Sequence, residues 1–333
     1  MPKHGSSPIA PHVNLLEPLL DLVWSLWSEL GIPGWNRAHQ DWAIDPEPLL
    51  LFTALLGDSD PRLRDECMGW CVRNGRYIAA SRLRNLLTTA SPAVREQWGP
   101  FAASVNVHAD TNWPGATEPL SSRPSSKEGL DDFKRPALIS LRLRTTFGVG
   151  ARSEILLYFA SRPDARAVAS DLSEVVHYTK RNVEKELEAL RKAGRLSVEK
   201  RHNRLEHFLE MPESLLMFAA PRPKYFPRWD AIFPVLGALL NYENQARTMD
   251  SMVALVEARR LLGDIQNHLR QSGLPAPPST VPDRVLVSSL RNWAVDVTGA
   301  LARADAGGLG WAQVKTSKAR LTKTSRRGRL IRE

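Results

Sequence analysis

Cysteine is nearly absent from this chain of 333 residues, which contains only Cys67 and Cys71. A disulfide framework like that of small secreted domains is therefore excluded. The two cysteines stand four residues apart on a predicted helix, and no second ligand pair accompanies them at a spacing that a metal site would need. We expect two buried, reduced thiols, no metal ion and a cytoplasmic location.

Long hydrophobic runs are also missing. The most apolar stretch, residues 13–32, is interrupted by Glu17, Asp21 and Glu29. Residues 1–11 contain no apolar core of the length found in a signal peptide. We therefore expect neither secretion nor insertion into a membrane.

Motifs that carry catalysis or cofactor binding do not stand out either. Residues 148–150, Gly-Val-Gly, are too short to cradle a phosphate, and no HExxH, GxSxG or paired-carboxylate motif occurs. The histidines near residues 108 and 202–207 form no recognised metal-ligand spacing. We expect a protein without a cofactor, a metal or an enzymatic activity.

Positive charge is present in excess, but it is unevenly distributed. The net charge is +9, and residues 315–333 hold eight Lys or Arg against one acid, which leaves +2 for the rest of the chain. Such a tail suits a polyphosphate partner, although a solvated terminus has the same composition.

Apolar residues at helical spacing and turn-rich breaks divide the chain into five parts. We predict a mainly α protein with a helical N-terminal domain (1–108), a linker rich in Pro, Ser and Gly (109–136), and a central unit (137–212). A C-terminal helical bundle (225–310) and a basic tail (311–333) follow. Six of the ten tryptophans lie in the first domain. Five of them are expected in its core, or else around a ligand pocket or partner surface: Trp24, Trp27, Trp35, Trp42 and Trp70.

The central unit holds the arrangement most informative about function. Three predicted helices (152–161, 165–176 and 179–193) are followed by two short strands around a basic turn. Val183, Leu187 and Leu190 form an apolar stripe on the third helix that can pack on the first. Gly194 supplies the left-handed residue that ends this helix. This order of elements predicts a helix-turn-helix with a β-hairpin wing.

Cationic and amide side chains occupy the two positions where such a unit meets DNA, namely the start of the third helix and the hairpin turn. The candidate DNA-binding residues are Tyr178, Thr179, Lys180, Arg181, Asn182 and Lys185 on the helix and Lys200, Arg201, Asn203 and Arg204 in the wing. Three glutamates on the same helix, Glu184, Glu186 and Glu188, make its field less positive.

The segment ASDLSEVVHYTKRNVEKELEALRKAGRLSVEKR resembles the winged helix-turn-helix of bacterial transcription regulators of the MarR and ArsR type, over residues of about 150–212. The resemblance implies that Thr179, Lys180, Arg181 and Lys185 face DNA and that Arg201 and Arg204 lie in the wing.

Two further segments, DPRLRDECMGWCVRNGRYIAASRLRNLL and LRLRTTFGVGARSEILLYFA, resemble antitoxin-like regulators paired with nucleotidyltransferase-type toxins. This resemblance implies that the flanking helical domains bind a protein partner. Two functions thus remain open: a transcriptional regulator that binds double-stranded DNA as a homodimer, and a protein-interaction module such as an antitoxin or complex subunit.

Overall fold

The computed structural model describes residues 14–34, 36–122, 124–125 and 132–314. In these residues the chain forms thirteen α-helices, two short 3-10 helices and one antiparallel pair of strands. The expectation of a mainly helical protein with one small β-hairpin is confirmed. Trp35 and residues 315–333 of the predicted tail lie outside the described residues.

Eight helices make up what we call the helical body. They are α1 (Leu16–Glu29), α2 (Pro46–Leu56), α3 (Pro61–Asn74), α4 (Ala80–Thr89), α5 (Pro92–His108), α11 (Trp229–Ala246), α12 (Ser251–Ser272) and α13 (Asp283–Ala302). Short polar side chains begin several of them: Asp60 accepts from the Leu63 N–H and Ser91 from the Val94 N–H. These caps satisfy backbone donors that have no partner inside the helix.

The helices of the body share one hydrophobic core, although they come from both ends of the chain. Helix α1 packs on α13 and α2 on α11, and the rings of Phe52 and Phe233 stack with centroids 4.6 Å apart. Residues 1–108 and 225–310, which the sequence predicts as two domains, therefore bury their apolar faces against each other. Periodicity identifies the apolar face of a helix but not the helix that covers it.

The described part of the predicted linker, 109–136, contains no α-helix, as its composition predicts, but it packs closely on the body. Trp113 is 2% exposed and stacks on Trp98 at a centroid distance of 5.7 Å. The Ser125 N–H donates to the Asp65 carbonyl at 3.0 Å, in space that a side chain at Gly69 would fill. The described residues of this segment pack on the body through aromatic rings and backbone hydrogen bonds, although they lack helical periodicity.

Five helices and the hairpin form a second unit, which we call the helix–hairpin unit. It comprises α6 (Ile139–Phe147), α7 (Ala151–Ser161), α8 (Ala169–Val176), α9 (Lys180–Lys192), β1 (Leu196–Arg201), β2 (Arg204–Leu209) and α10 (Pro212–Phe218). The predicted stripe Val183, Leu187 and Leu190 is buried in one core with Ile155 and Phe159 of α7. Burial of each such side chain contributes roughly 1.5–3 kcal/mol. The sequence did not predict α6 or α10.

No helix among the described residues combines the length and the apolar character that crossing a membrane requires.

Candidate nucleic-acid interface

The first turn of α9 carries the predicted helix residues. Thr179 is its N-cap, and its hydroxyl accepts from the Asn182 N–H at 3.3 Å. Thr179, Lys180, Arg181 and Lys185 are exposed, whereas Asn182 is half-buried. The cap fixes the direction in which α9 starts, so the two consecutive cations project from a rigid helix end.

Tyr178 does not belong to this surface. Its side chain is only 6% exposed and packs in the core of the helix–hairpin unit. The preceding residue, His177, ends α8 in the left-handed region at φ 56°, and this turn directs the next side chain inward. The sequence suggested Tyr178 by residue type, but the turn geometry removes it from the set of DNA-contacting candidates.

The three glutamates of α9 are all ion-paired. Glu184 lies 3.6 Å from Lys180, Glu186 lies 2.9 Å from Arg152 of α7, and Glu188 pairs with Arg191 at 2.7 Å. Hydrogen bonds from Arg191 lower the pKa of Glu188 to about 2, so this carboxylate stays ionised and paired at neutral pH. The pairs partly cancel the acidic charge of the helix.

Arg181 and Lys185 remain as exposed cations of α9 that form no ion pair with any described residue. They are therefore the cations of this helix that are most accessible to an external anion. A phosphate that binds them displaces no carboxylate partner.

The hairpin turn places the predicted wing residues at its tip. His202 and Asn203 both have positive φ, 44° and 66°. Arg201 lies directly opposite Arg204 in the register of the two strands. This is the geometry of a two-residue turn of the type I′ class, which matches the twist of antiparallel strands. Lys200, Arg201, Asn203 and Arg204 are all exposed.

The hairpin is attached to the segment before α8 by backbone hydrogen bonds and an ion pair. Ala167 and His207 exchange two backbone hydrogen bonds of 2.9 and 2.8 Å. This single antiparallel bridge joins the segment before α8 to the edge of β2 that is not paired with β1. Arg166 pairs with Glu199 and lies 3.9 Å from Glu206. Arg166 thus contacts two glutamates in the middle of the hairpin, while Arg201 and Arg204 stand at its tip.

The turn between α8 and α9 is docked on the helical body, a contact that sequence reasoning missed. Asn85 of α4 donates to the His177 carbonyl at 2.8 Å, and His177 Nε2 lies 2.8 Å from Asp230 Oδ2 of α11. Burial alone would raise the pKa of Asp230, but hydrogen bonds from Arg228 and His177 lower it below its ordinary value. The carboxylate therefore stays charged and holds the turn in place.

A buried ionic network also joins the helical body to the helix–hairpin unit. Glu47 of α2 accepts from Arg82 of α4 at 2.7 Å and from Arg144 of α6 at 2.6 Å. Arg144 also donates to Glu154 of α7 at 2.7 Å. The side chains of these four residues are at most 5% exposed, so the network fixes how the helix–hairpin unit sits on the body.

The cysteines, the potential metal ligands and one cleft are further candidates for functional groups among the described residues. The thiols of Cys67 and Cys71 are buried, and burial raises the pKa of both well above the ordinary value. Among the described residues, no group of three or more His, Cys, Asp and Glu side chains is placed to hold a metal ion. A cleft of about 690 Å³ lies between the ends of α7 and α12, lined in part by Tyr225, Arg162 and Trp311.

Four of the five tryptophans predicted in the core are found there, and the fifth, Trp35, lies outside the described residues. Trp24, Trp27, Trp42 and Trp70 are at most 1% exposed. Trp70 donates to the Leu30 carbonyl at 2.9 Å and Trp27 to the Thr53 hydroxyl at 2.8 Å. These rings pack the body, so a ligand pocket or partner surface made of them is not formed.

Comparison with known proteins found no family model, no curated protein and no solved structure that matches this chain.

Proposed function

We propose that this protein is a DNA-binding transcriptional regulator that acts through a winged helix-turn-helix, with α8 and α9 as the helix-turn-helix and β1 and β2 as the wing. One observation carries the proposal: the exposed cationic start of α9 and the cationic hairpin tip belong to a single packed unit. A helix of this kind inserts its N-terminal turn into the major groove, while a wing holds the neighbouring backbone.

Charge and rigidity support the assignment. Arg181 and Lys185 have no carboxylate partner among the described residues, so they are available to phosphates or to base edges. Arginine and lysine contact guanine bidentately or pair with phosphate oxygens. The type I′ turn keeps Arg201 and Arg204 opposite each other, so both cations approach the DNA from one loop. We propose nine contact residues: Thr179, Lys180, Arg181, Asn182 and Lys185 in α9, and Lys200, Arg201, Asn203 and Arg204 in the wing.

We further propose that the protein acts in the cytoplasm as a homodimer, without a cofactor and without an enzymatic activity. A single unit contacts only half of a two-fold symmetric site, and pairing two copies doubles the contact area. The dimer would therefore bind a palindromic sequence whose half-sites are roughly one helical turn apart.

The direct test is the double substitution Lys180→Ala with Arg181→Ala. Both side chains are exposed, and Ala suits a helix, so the fold should persist. We expect binding to the DNA upstream of the protein's own reading frame to weaken by at least roughly 30-fold, because two lost base contacts of about 1–3 kcal/mol each together cost about 2 kcal/mol or more.

Arg259→Ala with Arg260→Ala is the matched control, since these are also consecutive exposed cations on a helix, α12. Fluorescence anisotropy with own-upstream and random duplexes, over a salt series, measures the affinities. Equal affinities of the two double variants and the parent would refute the proposal. Binding that is weak, equal for both duplexes, and lost when residues 315–333 are removed would show tail electrostatics alone.

A protein-interaction module is the second candidate, and exposed apolar side chains favour it. Met217 of α10 is 81% exposed, and Met252 and Val256 of α12 are 67% and 59% exposed. Apolar side chains that protrude from a folded surface are suited to a partner such as a toxin or another complex subunit. A stoichiometric partner that co-purifies with the chain and is lost on Met217→Glu, in a protein that does not bind DNA, would favour this function.

A further inference from the structure

Helix α4 belongs to the helical body, yet it lies directly beside the start of α9. The Asn85 side chain donates to the carbonyl of His177 at 2.8 Å, and Arg82 Nε donates to the carbonyl of Val176 at 3.3 Å. Two hydrogen bonds to consecutive residues of one turn leave α4 little freedom to move relative to α9. Helix α4 and the start of α9 therefore keep a fixed arrangement relative to each other.

The stretch around α4 is free of acidic residues. No Asp or Glu occurs from residue 67 to residue 95, whereas five arginines do: Arg73, Arg76, Arg82, Arg84 and Arg95. Arg82 is 2% exposed and is neutralised by Asp45 and Glu47. Arg84 is exposed, and it forms no ion pair with any residue that the structure describes. It is therefore the free cation of α4.

Arg84 lies outside the face of α4 that is docked on the α8–α9 turn. It is about 100° around the helix from Asn85 and about 160° from Arg82, the two residues that hydrogen-bond that turn. At about 100° per residue, Ser81, Arg84, Asn85 and Thr88 occupy a continuous sector of roughly 100°. Asn85 marks the side of that sector that contacts the α8–α9 turn. Arg84 stands at its other edge, exposed to solvent, with only small polar neighbours at Ser81 and Thr88.

In a helix-turn-helix bound to DNA, the major groove is about 12 Å wide and holds the N-terminal turn of the second helix. Elements packed beside that turn therefore lie over the sugar-phosphate backbone at the groove edge. Helix α4 packs beside the turn before α9, and its exposed sector carries positive charge only.

We propose that α4 of the helical body is part of the DNA interface and that Arg84 binds a backbone phosphate at the edge of the groove that α9 enters. The proposal rests on the proposed function of α9. It adds that the body, rather than the helix–hairpin unit alone, sets the length of the bound DNA site. The buried network of Glu47, Arg82, Arg144 and Glu154 keeps the two contact elements in register.

The test uses the full chain carrying Arg84→Ala. One lost phosphate contact should weaken binding by about 3- to 10-fold for own-upstream and random DNA alike, and reduce the slope of log K against log salt by about 0.9. Arg84→Lys should restore most of the affinity, because it retains the charge. Ethylation interference should identify a phosphate outside the α9 site that the parent requires and Arg84→Ala does not.

Arg247→Ala is the control, since Arg247 is exposed at the opposite end of α11 from Asp230, about 25 Å away at 1.5 Å per residue. Arg84→Ala binding with the affinity and salt slope of Arg247→Ala would overturn the inference. If Lys180→Ala with Arg181→Ala still abolishes specific binding in that case, the proposed function stands and only the role of α4 fails. If neither change affects binding, both fail.

Discussion

His39 is a buried imidazole whose two nitrogens are both engaged. Its Nε2 lies 2.8 Å from the Leu301 carbonyl and its Nδ1 2.7 Å from the Ser25 hydroxyl. Because a carbonyl only accepts, Nε2 carries the proton and Nδ1 accepts from the serine. Burial lowers the pKa of His39 to about 4, despite the bond to Leu301. The neutral ring links α13 to α1, the two ends of the chain.

We expect the stability of the protein to fall as the pH falls below about 6.5. The unfolded chain then binds a proton at His39 that the folded chain does not accept until about pH 4. Between about pH 7.5 and about pH 5, the free energy of unfolding should drop by about 2 kcal/mol from this group. Urea titrations at the two pH values measure it.

His39→Gln removes the titrating group while retaining a donor for the Leu301 carbonyl. Its loss of stability between the two pH values should be smaller than that of the parent by about the same 2 kcal/mol. A parent and a variant that respond equally to pH would show that other groups dominate.

Residue type alone does not predict the direction in which a side chain points. Lys180, Arg181 and Arg201 are exposed at the predicted places, but Tyr178 points into the core. Arg82 and Arg84, two arginines of helix α4, differ completely in exposure. A sequence does not specify which side of a turn is covered until the covering element, here α4, is known.

Helix α9 is the element whose structure follows most directly from the sequence. Its apolar stripe is buried as predicted, and Gly194 follows its end at φ 64°. The Gly194 N–H donates to the Arg191 carbonyl at 2.9 Å, and the next N–H to Leu190. Local periodicity and one left-handed residue suffice to define this helix.

The same substitution, Gly→Ala, should have opposite effects at two positions. Gly194→Ala should lower the free energy of unfolding by about 1 kcal/mol, since a left-handed residue with a Cβ is disfavoured. Gly263→Ala, inside α12, should raise it by about 0.5–1 kcal/mol through helix propensity. A new Cβ meets no atom within 4 Å at either position, so packing does not obscure the comparison. Thermal or urea unfolding measures both, and a change of the same sign in both variants would contradict the expectation.

The part of the chain that the structure describes contains two hydrophobic cores joined by a buried ionic network. Glu47 lies between the guanidinium groups of Arg82 and Arg144, and its side chain is 0% exposed. Burial would raise the pKa of Glu47, but Arg144 and Arg82 together lower it to about 2. The carboxylate is therefore charged at neutral pH and stabilises two otherwise unfavourable buried cations.

Glu47→Gln should destabilise the folded protein by about 3–5 kcal/mol, because it leaves buried cations without a full counter-charge. The exposed Glu96→Gln should change stability by less than about 0.5 kcal/mol. No tryptophan falls within residues 137–219, so tryptophan fluorescence follows the body alone while circular dichroism follows both units. We expect coincident transitions in the parent, since the network couples the two units, and separate transitions would show that it does not.

The sequence by itself determined the helical class, the hairpin, the order of elements from α7 to β2, and the lack of an α-helix in the described part of residues 109–136. All of these follow from local periodicity, capping and turn residues, which act over a few positions. Only the tertiary structure decided that both ends of the chain share one core, that the 109–136 segment is packed, and that α4 and Asp230 hold the turn before α9. These contacts join residues far apart in the chain, and whether two apolar or charged faces meet depends on the arrangement of all the helices at once.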